Sequence, residues 1–238
     1  MRLNDKLTRS YPANYDAHAR SVAPDAYWKQ VRRTIDGEPL AEGQIVLIVN
    51  AVVAGLSLAP ADVVLDLACG NGALSSYLFD KCAGLVGVDI SPYLVEIAQK
   101  DFARPPRYRF CAEDATTYVM HERDTSVFTK ALIYGSFQYF SRVDAASILK
   151  ALKDRFSGVT TVFVGNLPNR RHADRFFAET PAEAELNDHE ARTGIWYRPE
   201  EFEALAQAAG WRASCSHMPA DFTASSYRFD VTLKRPES

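Results

Sequence analysis

Three carboxylates each stand at or just past the end of a short apolar run: Asp66 in Val63-Val64-Leu65-Asp66-Leu67, Asp89 in Gly87-Val88-Asp89-Ile90, and Asp114 in Ala112-Glu113-Asp114-Ala115. An ionised carboxylate only accepts hydrogen bonds, so it suits an ammonium group, a pair of hydroxyls or an exocyclic amine. After the first run comes Ala68-Cys69-Gly70-Asn71-Gly72, where the two glycines allow unusual backbone angles and let a ligand approach the main chain without meeting a Cβ. An apolar run, a glycine turn, an apolar-periodic segment and a second apolar run ending in Asp form the pattern of a β-α-β unit whose first turn binds a nucleotide-like ligand.

Two ligands use such a turn, a dinucleotide and S-adenosylmethionine. A dinucleotide site wants Gly-x-Gly-x-x-Gly, with amide groups and a helix N-terminus facing a pyrophosphate. Here the third glycine position holds Ser75, and Asp66 at the mouth of the first strand would repel a pyrophosphate but attract an ammonium group. The sign of that charge favours the amino acid end of S-adenosylmethionine.

Asp66-Leu67-Ala68-Cys69-Gly70-Asn71-Gly72 resembles the first motif of class I S-adenosylmethionine-dependent methyltransferases of the small-molecule type, with Ala68 where that family more often has glycine. Gly87-Val88-Asp89-Ile90-Ser91 resembles the family's second strand, whose terminal acid binds both ribose hydroxyls, and Ala112-Glu113-Asp114-Ala115 resembles the loop whose Asp reaches the adenine amino group. The resemblance spans roughly residues 60–234. It implies S-adenosyl-L-methionine as cofactor, contacted by Asp66, Ala68, Gly70, Gly72, Asp89, Ile90, Glu113, Asp114, Ala115 and Tyr134. In the family an arginine ahead of the first motif can meet the cofactor carboxylate, which makes Arg33 or its neighbour Arg32 the candidate here. It also implies an α/β fold: a Rossmann-like, seven-stranded, mostly parallel sheet with an antiparallel last strand and helices on both faces.

The elements that must position these residues follow in order. Residues 1–59 read as an N-terminal extension, aromatic and partly helical with Tyr11, Tyr15, Tyr27 and Trp28, which covers the cofactor pocket; residues 60–238 form the cofactor-binding domain. Within the extension, residues 41–58 predict a helix with Ile45, Ile48, Val49, Val52 and Leu56 on its apolar stripe. Residues 73–79 predict the helix after the glycine turn. Ser91 as N-cap and Pro92 at the first helical position start a helix that runs to about Phe102. Residues 107–111, 127–134 and 160–164 read as the third to fifth strands, residues 141–156 and 199–210 as helices, and residues 211–218 and 226–234 as the last two strands. The alternation in Tyr227 to Leu233 predicts an antiparallel edge strand. Regular patterning is lost over residues 166–197, a lid-like insertion whose Arg170, Arg171, His172 and Arg175 offer a basic cluster for an anionic substrate.

A chain of 238 residues can bury one sizeable α/β core. Its 27 basic and 30 acidic residues give a net charge of −3, which argues against a nucleic-acid or membrane partner. Cys69, Cys82, Cys111 and Cys215 lack the paired spacing of a zinc site, so no metal is expected. Asp5 and the absence of an apolar h-region near the N-terminus speak against a signal peptide, and the apolar run from Ile45 to Leu58 is too short for the ~20 residues of a membrane span. A cytoplasmic protein, monomer or homodimer, is expected.

In an open α/β sheet, ligands lie at the carboxyl ends of the strands, so Tyr134-Gly135-Ser136-Phe137-Gln138-Tyr139-Phe140 should face the reactive methyl group. It is not the Asn/Asp-Pro-Pro-Tyr/Phe motif used on amide or nucleobase nitrogens, and a small-molecule methyl acceptor is the expectation. A hydroxyl acceptor would call for a base, with His172, His217 and Tyr139 as candidates; an amine would not. Two other readings stay open: an NAD-dependent oxidoreductase, which leaves Asp66, Asp114 and Ser75 unexplained, and a noncatalytic S-adenosylmethionine-binding module.

Overall fold

Val63 to Leu67, Gly84 to Asp89 and Lys130 to Tyr134 are buried at almost every residue, as strands sandwiched between two helical layers must be. The computed structural model describes residues 10–236, with side chains from Tyr15 onward. Residues 1–9 of the expected cover, Asp5 among them, and the Tyr11 side chain lie outside the described residues.

In chain order, α1 (Ser10–Ser21) and α2 (Tyr27–Gln30) lead into a short hairpin of β1 (Thr34–Ile35) and β2 (Glu38–Pro39), and then α3 (Glu42–Leu56). The alternating core follows: β3 (Val63–Leu67), α4 (Ala73–Ser76), β4 (Gly84–Asp89), α5 (Pro92–Ile97), β5 (Tyr108–Ala112), α6 (Ala115–His121), β6 (Lys130–Tyr134), α7 (Arg142–Asp154) and β7 (Thr161–Pro168). After α8 (Glu183–Leu186) and α9 (Pro199–Ala208), β8 (Arg212–Ser216) and β9 (Arg228–Lys234) complete a seven-stranded sheet of order β5-β4-β3-β6-β7-β9-β8. The first five strands in that order run parallel; β9 is antiparallel to both β7 and β8. This is the expected Rossmann-like architecture. The chain reverses its direction of travel across the sheet between β3 and β6, which opens a crevice beyond their carboxyl ends.

Each face of the sheet has its own core. Ile45, Ile48, Val49, Val52 and Leu56 of α3, all five of the expected stripe, pack with Leu74, Leu78, Val95 and Ala98 on one face. Tyr118 and Val119 of α6, Ile148 and Leu149 of α7, and Phe202 and Ala206 of α9 cover the other. Ser91 caps α5 by accepting from the Leu94 N–H at 3.2 Å, with Pro92 first in the helix. No helix among the described residues is long and apolar enough to cross a membrane.

Four expectations need correction. The helix after Gly72 stops at Ser76, because the Ser76 hydroxyl turns back onto the Ala73 carbonyl (2.8 Å) and the following amides bond three residues back instead of four. The fourth strand begins at Lys130, since Thr125–Val127 form a 3-10 turn. The fifth strand runs on to Pro168 across a bulge, so three residues assigned to the lid belong to the sheet. The last strand is antiparallel as expected, but it is not an edge: β9 lies between β7 and β8, and the half-exposed edge is Arg212–Ser216.

Gly55 lets α3 sit directly on β7, since a Cβ there would lie 2.2 Å from the ring of buried Phe163. Alanine is the better helix former by about 1 kcal/mol, but overpacking a filled core costs about 1–3 kcal/mol. Gly55→Ala is therefore expected to lower unfolding free energy in urea titrations. Gly43→Ala, on the same helix with nothing within 4 Å of its Cβ, should leave it unchanged or raise it.

Candidate active site

The glycine turn runs through three left-handed residues, Ala68 (φ 58°), Gly70 (φ 61°) and Gly72 (φ 77°). A Cβ on Gly70 would meet Val31 Cγ1 at 2.9 Å, and one on Gly72 would meet the Phe110 ring at 2.9 Å. Between them Asn71 is 1% exposed; its Nδ2 donates to the Tyr27 carbonyl and to Gln30 Oε1, both at 2.8 Å, and its Oδ1 accepts from the Ala73 N–H at 3.2 Å. The turn is thus tied to α2, and the segment ahead of the sheet is held over it.

Asp89 closes β4 beside this turn. Its Oδ2 accepts from the Gly70 N–H at 2.7 Å and its Oδ1 from the Ser91 N–H at 2.9 Å. Burial pushes its pKa up, against those two N–H bonds that pull it down. Asp114 caps α6, accepting from the Thr117 N–H at 2.9 Å, and also faces the cleft. Capping and ligand contact are both compatible with a carboxylate, which has about four lone-pair sites.

These groups open onto one cleft of about 1260 Å³. Of the expected cofactor residues, Ala68, Gly70, Asp89, Ile90, Asp114, Ala115, Tyr134 and Arg33 line it, as does Arg32. Arg33 lies against Tyr134, with its guanidinium 4.8 Å from the ring centroid and Nη2 3.5 Å from the Tyr134 carbonyl. Asp66, Gly72 and Glu113 do not line the cleft. Asp66 lies beneath its floor, 3% exposed, and accepts from the Ser75 hydroxyl at 2.6 Å; Gly72 faces Phe110; Glu113 is half-buried outside the cleft, with its N–H donating to the Asp89 carbonyl.

Residues 64–156 match the methyltransferase domain family. That segment carries the glycine turn, Asp89 and Asp114. Among curated proteins, two uncharacterized methyltransferases of Schizosaccharomyces pombe are 39% identical over 51 residues (21% of this chain) and 33% identical over 79 residues (32% of this chain). The matches span only 18% and 28% of those relatives' own lengths. Among solved structures, the magnesium protoporphyrin IX methyltransferase of Synechocystis with bound S-adenosylhomocysteine shares the fold at 17% identity and a TM-score of 0.58, over 87% of this chain and 93% of that one.

The far half of the cleft is built from the loop after β6 and from the insertion before α9. Tyr139 lines it, with its hydroxyl donating to the Arg192 carbonyl at 3.1 Å. The other two candidate bases do not. His172 sits in the 3-10 segment Arg170–Arg175, its pKa lowered by burial and then by the charge of Arg175. His217 lines a separate cavity of about 310 Å³ against α3. His189 faces the cleft instead, in a stretch that reads by sequence as an acidic run with no regular periodicity to fix its direction.

The basic cluster is engaged within the fold. Arg170 pairs with Glu183, Arg171 with Glu200 at 2.9 Å, and Arg175 donates to the Ser226 carbonyl at 2.8 Å. None of the three lines the cleft, which corrects their expected role in anion recognition. The insertion is anchored as well: Ile195, Trp196 and Tyr197 are fully buried, and Trp196 packs on Phe177 and Tyr227.

Burial pushes the Asp66 carboxyl up to about 7, with the Ser75 hydroxyl and the Arg33 charge opposing and the Asp89 charge adding. The folded protein therefore holds this proton more tightly than the unfolded chain does. Its contribution lowers stability as pH rises from the ordinary value of 3.8 to about 7 and is constant above that. Asp66→Asn is expected to flatten the fall in urea midpoint across this window while leaving the most acidic points close to wild type.

Proposed function

We propose that this protein is an S-adenosyl-L-methionine-dependent methyltransferase that acts on a small-molecule acceptor in the cytoplasm. The observation that carries this reading is the convergence of Asp89, Asp114 and Arg33 on one cleft at the switch point of the sheet. The cleft fits the cofactor's chemistry: a carboxylate for the ribose hydroxyls, another for the adenine amine, and a guanidinium for the amino acid end. Pockets for small ligands typically measure about 300–1,000 Å³, and this one is larger, with room for an acceptor beside the cofactor.

When bound, S-adenosylmethionine supplies a methyl group already activated on a sulfonium. The chain's own residues have the remaining tasks of binding, alignment and exclusion of water. Tyr139, Phe140, Phe176 and Tyr227 give the far half of the cleft an aromatic wall suited to a small planar or apolar group. The Tyr139 proton is committed to the Arg192 carbonyl, which leaves His189 as the better placed base should the acceptor be a hydroxyl. Two observations weigh against a dinucleotide: Ser75 places a hydroxyl where the third glycine would be, and that hydroxyl is bonded to Asp66.

Calorimetric titration with S-adenosylhomocysteine and, separately, NADH tests the reading. S-adenosylhomocysteine is expected to bind, and both Asp89→Asn and Asp89→Ala to weaken it about tenfold or more, the scale of a lost hydrogen bond to a charged group. Binding of NADH alone would overturn it. Tight binding without turnover across a broad acceptor panel would favour a noncatalytic binding module.

A further inference from the structure

Asn166 occupies an unusual position in β7. It lies at the bulge with φ at 62°, a left-handed angle that a strand residue other than glycine seldom adopts. Two side chains of β9 hold it there: Asp230 Oδ1 accepts from its N–H at 2.7 Å, and Arg228 Nη1 donates to its carbonyl at 2.7 Å. Asp230 is 2% exposed, so this clamp is built into the core. Strained residues held on both sides by their surroundings cluster at ligand sites.

The Asn166 side chain is held beside Gly135, the residue that follows β6. Gly135 is left-handed as well (φ 73°), and the space where its Cβ would stand is bordered by nitrogen donors: Asn166 Nδ2 at 3.5 Å and both Nη atoms of Arg33 at 3.9 Å. All three residues line the cleft. Arg33 is only partly exposed, its Nε is buried without a hydrogen-bond partner, and among the described residues its guanidinium makes one long bond, to the Tyr134 carbonyl. A half-buried cation flanked by a second donor and by a missing side chain is a preformed seat for a planar anion.

We infer that Asn166 completes a carboxylate seat with Arg33 over Gly135, and that its occupant is the amino acid carboxylate of the cofactor. The inference rests on the cofactor reading above. Asn166 is then a binding residue contributed by the strand after Tyr134, far in sequence from the glycine turn, and β9 sets its position.

The test compares S-adenosylhomocysteine with 5′-methylthioadenosine, which keeps the adenosine and lacks the carboxylate. Asn166→Asp replaces a donor with a like charge, and Asn166→Gly removes the side chain while keeping a left-handed backbone. The expected result is that Asn166→Asp weakens S-adenosylhomocysteine at least tenfold and Asn166→Gly weakens it severalfold, with 5′-methylthioadenosine within twofold of wild type in both. If Asn166→Asp binds S-adenosylhomocysteine as tightly as wild type or tighter, the side chain orients Arg33 through its oxygen or faces an acceptor's anion, and the assignment falls. Equal weakening of both ligands also overturns it, since the damage is then general. Failure of wild type to bind S-adenosylhomocysteine at all would overturn the cofactor reading, and this inference with it.

Discussion

The hydrogen bond from the Gly70 N–H to the Asp89 carboxylate joins the turn after one strand to the end of the next, and most of the cleft is built outward from it. The second oxygen of Asp89 takes the Ser91 N–H, Ser91 caps α5, and its hydroxyl donates to Asp16 on α1 at 2.5 Å. One carboxylate therefore links the glycine turn, the next helix and the N-terminal segment above them. Asn71 gives that segment a second tie through α2. The floor and the cover of the cleft share a single network of charged and backbone groups, so displacing either one disturbs the other.

Electrostatics beneath the cleft follow from the same crowding. Asp66, Asp89 and Asp230 are each almost fully buried, and burial pushes each carboxyl upward. Buried charge is tolerated only where hydrogen bonds or opposite charges offset desolvation. Asp89 and Asp230 are offset by backbone N–H groups, and Asp66 by a serine hydroxyl and the field of Arg33. Arg33 thus faces two ways, toward a buried acid below and toward the open cleft above. That dual setting makes it the electrostatic pivot of its side of the cleft.

The parallel half of the sheet was legible because strands buried on both faces leave continuous apolar runs, and because each run ends on a residue whose chemistry differs from what precedes it. Asp89 and Asp114 are readable for that reason, as is the stripe on α3. The far half was not. Residues 169–197 have no period from which a side chain's direction follows, so His172 and His189 were indistinguishable in kind, and only His189 reaches the cleft. Arg170, Arg171 and Arg175 form a cluster in sequence, but their partners Glu183, Glu200 and Ser226 are 13 to 51 residues away, a distance no local pattern reports. Asn166 was hidden for a related reason: its conformation is imposed by residues on a strand that follows it by more than 60 positions. Alternation in β9 was real, yet alternation alone does not say whether a strand has one neighbour or two.

The placement of β9 also has a consequence for how the protein is made. It is the last strand of the sheet to leave the ribosome, and it is inserted between two strands that have already emerged. The parallel strands, the glycine turn and Asp89 can assemble during synthesis. Meanwhile β7 waits with an open edge, and β8 has nothing beside it to pair with. Nascent chains would pass through a stage in which the Asp89 side of the cleft is formed while Asn166 still lacks Asp230 and Arg228, so two sides of one cleft mature at different times.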